Sequence, residues 1–272
     1  MIYDLHSHST ASDGKLSPTK LMQRAKDKGV DVMAMTDHDT TRGIAEAAAE
    51  AKRLDLEFIP GVEISVRWKD FEVHIVGLNV DPEAQMLQRG LANQQKRRKD
   101  RIHQIIDNLE SDGLPGAREQ ILEWAEGKSP GRPLAARYLC EQGRCADFNE
   151  AFIHLSRGGK YFCQPKWEYM QYAVKWIRDA GGVAVLAHPD KYDMNKNHFK
   201  GFFREFKEAG GQALEVCYGA GSKSAMTRAA HFARTYELYA STGSDFHRPS
   251  IGVELGRINP LPRHIKPVWE LF

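Results

Sequence analysis

Residues 30–55 read VDVMAMTDHDTTRGIAEAAAEAKRLD. The first seven, VDVMAMT, are mostly apolar, as expected of a strand buried on both faces. After a polar corner, RGIAEAAAEAKRLD is dense in Ala and Glu and reads as a helix. A strand feeding directly into a helix is one βα unit, and repeated units imply a mostly parallel sheet flanked by helices. The polar pair Asp37-His38 falls at the carboxyl end of the strand. Parallel α/β folds gather their functional groups at that end.

The same rhythm extends in both directions. IYDLH reads as a strand, and SPTKLMQRAKDKG as a helix with Ser17 as N-cap, Pro18 in the first turn and Gly29 at the close. EFIPGVEISV and FEVHIVGLNV flank the short polar RWKD and predict a hairpin-like pair of strands. Later come helix KWEYMQYAVKWIRDAGG, strand VAVLAH, helix FKGFFREFKEAGG, strand ALEVCY, helix SAMTRAAHFARTYE and strand LYASTGSD. About seven strands are expected, and periodicity leaves open whether they form an open sheet or a barrel. Residues 82–165 break the rhythm, being helical and strongly charged. This predicts an α/β domain over 1–81 and 166–272 with a small helical insertion over 82–165.

With 272 residues, 42% of them apolar and 27% charged, the chain is long enough for a full-sized core. Its 38 basic and 36 acidic residues leave a formal charge of +2, which gives no global attraction to polyanions. The four cysteines, Cys140, Cys145, Cys163 and Cys217, form no CxxC pair, and no secretory leader is evident. No apolar run approaches the roughly 18–20 residues of a membrane span. A cytoplasmic protein with reduced thiols, no membrane association and no obligate protein partner is expected.

Metal-capable side chains recur through this pattern. In DLHSHST, His6 and His8 are two apart on an extended segment and can aim at one point. Asp13 follows in ASDG, His38 sits in TDHDT, Glu63 in GVEIS, His74 in EVHIVG, His188 in LAHP, and Asp245 and His247 in SDFH. Six of the eleven histidines fall in this set. A single strand-end histidine is commonly structural, but one metal cluster accounts for all of them together. Imidazoles with carboxylates and no thiolate suit Mn²⁺, Fe²⁺ or Zn²⁺.

In order along the chain, DLHSHST…SDG, TDHDT, GVEIS, AHP and SDFH resemble the motifs of the polymerase and histidinol phosphatase (PHP) family. The resemblance spans residues 4 to 247. It implies a distorted (β/α)7 barrel holding up to three divalent metals, Mn²⁺ foremost. Carried over by position, His6, His8, Glu63 and Asp245 would hold one metal. Glu63, His74 and His188 would hold a second, and Asp13, His38 and His247 a third. Asp37 would stand behind the ligands and orient one of them. Two metals about 3.5–4 Å apart can share a hydroxide nucleophile and neutralise an attacked phosphate. Asp245 or a site histidine such as His188 would handle the leaving-group proton.

The insertion carries SPGRPLAARYL, with Arg132 behind a Pro-Gly turn, and LSRGGKYFCQP, with Arg157 and Lys160 around a glycine pair. Arg in such loops suits phosphate recognition, and it equally suits solvent-exposed ion pairs. Similar stretches mark a PHP subgroup whose members dephosphorylate 3′,5′-nucleoside bisphosphates or trim short RNA from the 5′ end. The resemblance therefore implies nucleoside bisphosphate or short 5′-phosphorylated RNA as substrate, bound by Arg132, Arg157 and Lys160. The subgroup usually has His where Leu134 stands. A small-metabolite phosphatase, such as one for histidinol phosphate, is the alternative. KRRKDR (residues 96–101) is expected to be a solvated helix face. YGAGSKS (residues 218–224) is expected to be a strand-to-helix loop, since it lacks the spacing of a nucleotide fingerprint.

Overall fold

The structure is a computed structural model that describes residues 1–125, 128, 130–219, 221–249 and 252–272. The chain divides into two compact units, Met1–Leu91 with Glu168–Phe272, and Ala92–Trp167. Residues 82–91, expected in the insertion, belong to the first unit. There Leu87 and Leu91 join the core.

In chain order the elements begin with β1 (Tyr3–Asp4), α1 (Pro18–Asp27), β2 (Val32–Met35) and α2 (Ile44–Arg53). Next are β3 (Glu57–Trp68), β4 (Phe71–Leu78), α3 (Gln85–Ser111), α4 (Ala117–Ala125), α5 (Arg132–Glu141) and α6 (Phe148–Leu155). The barrel then resumes with α7 (Met170–Asp179), β5 (Val183–Leu186), α8 (Lys196–Glu208), β6 (Ala213–Tyr218), α9 (Lys223–Thr235) and β7 (Tyr239–Gly243). Helix signals in the sequence hold locally. Ser17 Oγ accepts the Lys20 N–H at 3.3 Å and Pro18 opens α1, while Gly29 takes φ 75° just past its end.

The seven strands lie in sequence order, β1 to β7. Leu5 N donates to Thr242 O at 3.0 Å, and Ser7 bridges Phe246 in parallel, so β7 returns to β1 and the sheet closes into a distorted barrel. Closure demands close approach of the backbones. A Cβ at Gly243 would stand 2.3 Å from His6 Cβ, so only glycine fits there. Most neighbouring strands are parallel, as expected, but β4 is antiparallel to both β3 and β5. The cause is the connection. Two residues, Lys69 and Asp70, separate β3 from β4, and a parallel crossover needs a dozen or more. The predicted helix over KWEYMQYAVKWIRDAGG begins late, at Met170, because the preceding backbone is recruited to the sheet. Arg67 N donates to Glu168 O at 2.8 Å and Arg67 bridges Tyr169.

Alternation along the strands sorts the core into layers. Val32 and Ala34 of β2, Ile59 of β3, Val76 and Leu78 of β4, and Val183 and Val185 of β5 form one apolar cluster. Their odd-even partners face the other way: Met33 and Met35 pack beneath α1 and α2, and Val73, Ile75, Ala184 and Leu186 beneath α7 and α8. Phe202, Phe203 and Phe206 of α8 are fully buried in that outer layer, each stabilising by roughly 1.5–3 kcal/mol. Continuing the inward parity past the apolar cluster brings Thr36 and His38 beyond β2, Glu63 and Ser65 on β3, His74 on β4 and Glu215 on β6. The barrel interior is thus apolar at one end and polar at the other.

The second unit is helical among the described residues, with a core of its own built on Ile102, Ile105, Ile106, Leu109, Tyr138 and Leu139. Among the described residues no helix is long and apolar enough to cross a membrane.

Candidate metal centre

Glu63 is the hub of the polar end. It is fully buried on β3, where its N–H donates to Asp37 O at 3.2 Å and its carbonyl accepts from Asp39 N at 2.8 Å. Those two bonds carry the end of β2 alongside β3 and set His38 Nδ1 2.9 Å from Glu63 Oε2. Oε1 lies 2.9 Å from His74 Nδ1, 3.0 Å from His188 Nε2 and 3.4 Å from His6 Nε2. His8 Nε2 is 3.3 Å from Oε2. The antiparallel course of β4 explains how His74, in the first half of its strand, reaches the same end as groups at the close of parallel strands.

Asp245 completes the rim. Its Oδ1 is 3.6 Å from His6 Nε2 and 3.4 Å from His8 Nε2, and its Oδ2 is ion-paired with Lys191. Asp13 lies to the other side, 3.4 Å from His247 Nε2 and 3.8 Å from His38 Nε2. The His247 Nδ1–H faces Asp245 O at 3.0 Å, which leaves Nε2 turned toward Asp13. The rings of His8 and His247 stack at 4.1 Å, and those of His8 and His38 at 4.5 Å.

Such crowding sets the charges. Burial, aided by the positive fields of His247 and His38, pushes His8 down to about 3, so its ring is neutral. Burial also lowers His188, and Lys191 adds to this. His6 goes the other way. Burial opposes its charge, yet the carboxylates of Glu215, Glu63 and Asp245 together raise it. Glu63 and Asp245 stay ionised well below the carboxylate range despite burial, held there by His38 and His74 in one case and by Lys191 and His6 in the other.

The donor set fits divalent cations on two grounds. Three groups each bring one donor atom per residue within 4.8 Å of one another: His8, Asp13, His38 and His247; His6, His8 and Glu63; and His38, Glu63 and His74. In addition, His6 Nε2, both ring nitrogens of His8, Glu63 Oε2 and His188 Nδ1 are buried with no hydrogen-bond partner. Buried polar atoms are normally satisfied, and a cation would satisfy these.

All nine residues singled out as ligands therefore lie at one end of the barrel. Asp37 lies behind them and accepts from Ser9 N at 2.8 Å, Ser9 Oγ at 2.6 Å and Ser12 Oγ at 2.5 Å. It anchors the turn that carries Asp13. Three residues at the centre escaped the sequence reading. Glu215 pairs with His6, Lys191 with Asp245, and Tyr192 accepts from His74 N at 2.9 Å while donating to Ala187 O at 3.0 Å. The one available signal was Glu215, a lone carboxylate in the otherwise apolar ALEVCY.

Arg132, Arg157 and Lys160 lie in the second unit. Arg132 opens α5 with its guanidinium 5.8 Å from the Phe152 ring, Arg157 is exposed, and Lys160 is paired with Asp112 at 2.6 Å. KRRKDR is not simply a solvated face. Lys96 and Lys99 are exposed, but Arg98 and Arg101 are buried, 5.4 and 5.8 Å from the Trp167 ring. The residues after β6 form a strand-to-helix loop capped by Ser222, apart from Ala220, which lies outside the described residues.

A closed α/β barrel with a carboxylate-bridged imidazole cluster at its mouth has the equipment of a phosphoester hydrolase. The chain belongs to the PHP domain family, whose pattern matches residues 4–222. It is similar to the 5′-3′ exoribonuclease Rnm of Escherichia coli, at 42% identity over 100% of this chain and 94% of that protein. It is also similar to the 3′,5′-nucleoside bisphosphate phosphatase of Chromobacterium violaceum, at 39% identity over 98% and 94%. A Chromobacterium violaceum amidohydrolase solved with bound sulfate and no metal superposes with a TM-score of 0.94 at 39% identity, covering 100% of this chain and 96% of that one. The protein is thus a hydrolase acting on phosphoric esters.

Proposed function

We propose that the chain removes the 3′-phosphate of nucleoside 3′,5′-bisphosphates and trims short 5′-phosphorylated RNA from its 5′ end. The observation that carries this reading is the Glu63-centred cluster, in a chain about 40% identical over its whole length to relatives bearing those two names. A 5′-terminal nucleotide of RNA bears phosphate on both its 5′ and 3′ oxygens, so one recognition site serves both substrates. His6, His8, Glu63 and Asp245, then Glu63, His74 and His188, and then Asp13, His38 and His247 would hold three divalent ions, with Mn²⁺ preferred over Fe²⁺ and Zn²⁺. Bound there, the ions would supply positive charge against the phosphate and acidify water at neutral pH.

The chain's own residues do the rest. Glu63 and Asp245 stay ionised and balance the cations, and neutral His8 and His188 leave lone pairs available. Asp245 or a site histidine such as His188, each without the proton at rest, would take it from water and pass it to the leaving oxygen. Lys191, 43% exposed beside Asp245, offers a cation to a phosphate oxygen. Arg132, Arg157 and Lys160 are assigned to the second phosphate. The free state of the described cysteines accords with a cytoplasmic setting.

The test is a panel with Mn²⁺: phosphate release from a nucleoside 3′,5′-bisphosphate, mononucleotide release from a 5′-phosphorylated RNA oligomer, and phosphate release from histidinol phosphate. Turnover of the first two supports the assignment. Turnover of histidinol phosphate alone replaces it with a metabolite phosphatase.

A further inference from the structure

Glu215 is not among the nine proposed ligands, yet it is buried on β6 with both carboxylate oxygens engaged. Oε1 lies 3.0 Å from His6 Nδ1, and Oε2 accepts the His188 backbone N–H at 2.7 Å. A carboxylate only accepts, so the hydrogen in the first contact belongs to His6 Nδ1. In a neutral ring the lone pair then sits on Nε2. That nitrogen faces Glu63 and Asp245 and has no hydrogen-bond partner. The second contact restrains a residue with φ 27° immediately before Pro189, a backbone state that a side-chain-bearing residue adopts only when held there. One side chain therefore fixes a ring at the end of β1 and a backbone at the end of β5.

We propose that Glu215 is a positioning residue. It selects the Nδ1–H tautomer of His6, so that His6 meets a divalent cation through Nε2, and it pins His188 in place. The inference rests on the metal reading of this same centre. Carboxylates behind ligating imidazoles orient them, and removing one typically weakens metal binding roughly 10- to 100-fold.

Glu215→Gln is a sharp probe because it keeps the shape and halves the acceptors. The His188 N–H can only donate, so the amide oxygen turns to it and the amide NH₂ faces His6 Nδ1. His6 must then accept at Nδ1 and carry its hydrogen on Nε2, which closes that nitrogen to a cation. The opposite amide orientation sets two donors against each other at His188.

The experiment uses the full chain with Zn²⁺ as a diamagnetic probe, calorimetry for affinity and ¹⁵N-histidine NMR for ring state. The wild type should show His6 metallated at Nε2 with a hydrogen on Nδ1. Glu215→Gln should bind Zn²⁺ roughly 10- to 100-fold more weakly, with His6 no longer ligated through Nε2. Loss of a negative charge alone would weaken binding without changing the ring. If the wild type takes up no Zn²⁺, the metal reading fails and this inference falls with it. If the wild type binds and Glu215→Gln matches it in affinity and His6 spectrum, the positioning role alone is refuted. Should the variant not fold, the wild-type spectrum decides: ligation of His6 through Nδ1 overturns the proposal.

Discussion

Glu63→Gln tests the centre most directly, because the side chain keeps its volume and loses only its charge and one acceptor oxygen. Glu63 contributes to two of the three donor groups, while the third (His8, Asp13, His38 and His247) does without it. If each group holds one ion, metal content should fall from three per chain toward one. The lost ions take with them several kcal/mol of charge stabilisation at the phosphate. At 1.36 kcal/mol per tenfold, a loss of about 3–5 kcal/mol is roughly a 10²- to 10⁴-fold drop in kcat. Metal content is read by plasma mass spectrometry after gel filtration in Mn²⁺. Turnover is measured on the best substrate of the panel, with circular dichroism as a check on folding. A folded Glu63→Gln chain that keeps its full metal content would refute the hub assignment.

Asp13→Asn should remove only the ion of the third group, leaving two per chain by the same measurement. Phe202→Ala opens a cavity in a fully buried layer and should cost about 3–5 kcal/mol in urea unfolding. Burial pushes the Cys217 thiol up to about 12, so it should resist iodoacetamide at pH 8 in the folded protein, while the half-buried Cys140 labels first. Glu254 receives Arg24 in a two-point pair at 2.9 and 2.6 Å and, although burial opposes it, is held below the usual carboxylate value. A lowered folded pKa stabilises above the unfolded value of 4.5 and is lost as pH falls through the folded one. Glu254→Gln should therefore cost about 1 kcal/mol at pH 7 and flatten the acid limb of the pH–stability curve.

Much of the barrel was legible because buried strands and amphipathic helices write their periods into the chain, and the residues after β2 and β5 stand out as polar ends of apolar runs. Reading failed where a contact distant in sequence overrode a local signal. Residues 168–169 look helical, but they pair with the end of β3. The antiparallel turn of β4 was visible as a short polar break, but its consequence for His74 was not, since strand direction is a property of the sheet. Lys191 and Tyr192 follow His188 as ordinary loop residues, and only folding shows that they meet Asp245 and the backbone of His74. KRRKDR shows the same limit. A charge run looks solvated in one dimension, yet two of its arginines are buried beside Trp167.

The apolar layer across the barrel, from Leu5 and Val32 to Val183 and Ala213, bears on access to the centre as well as on stability. It fills one end of the barrel interior, so the metal-capable groups gather only toward the other end among the described residues. If cations are held against the fully buried Glu63, they would have to arrive before an ester that lies over them, and a lingering product would hinder the replacement of a lost ion. On that order of filling, inorganic phosphate should slow metal exchange as well as turnover, so that what sits at the polar end controls what reaches Glu63.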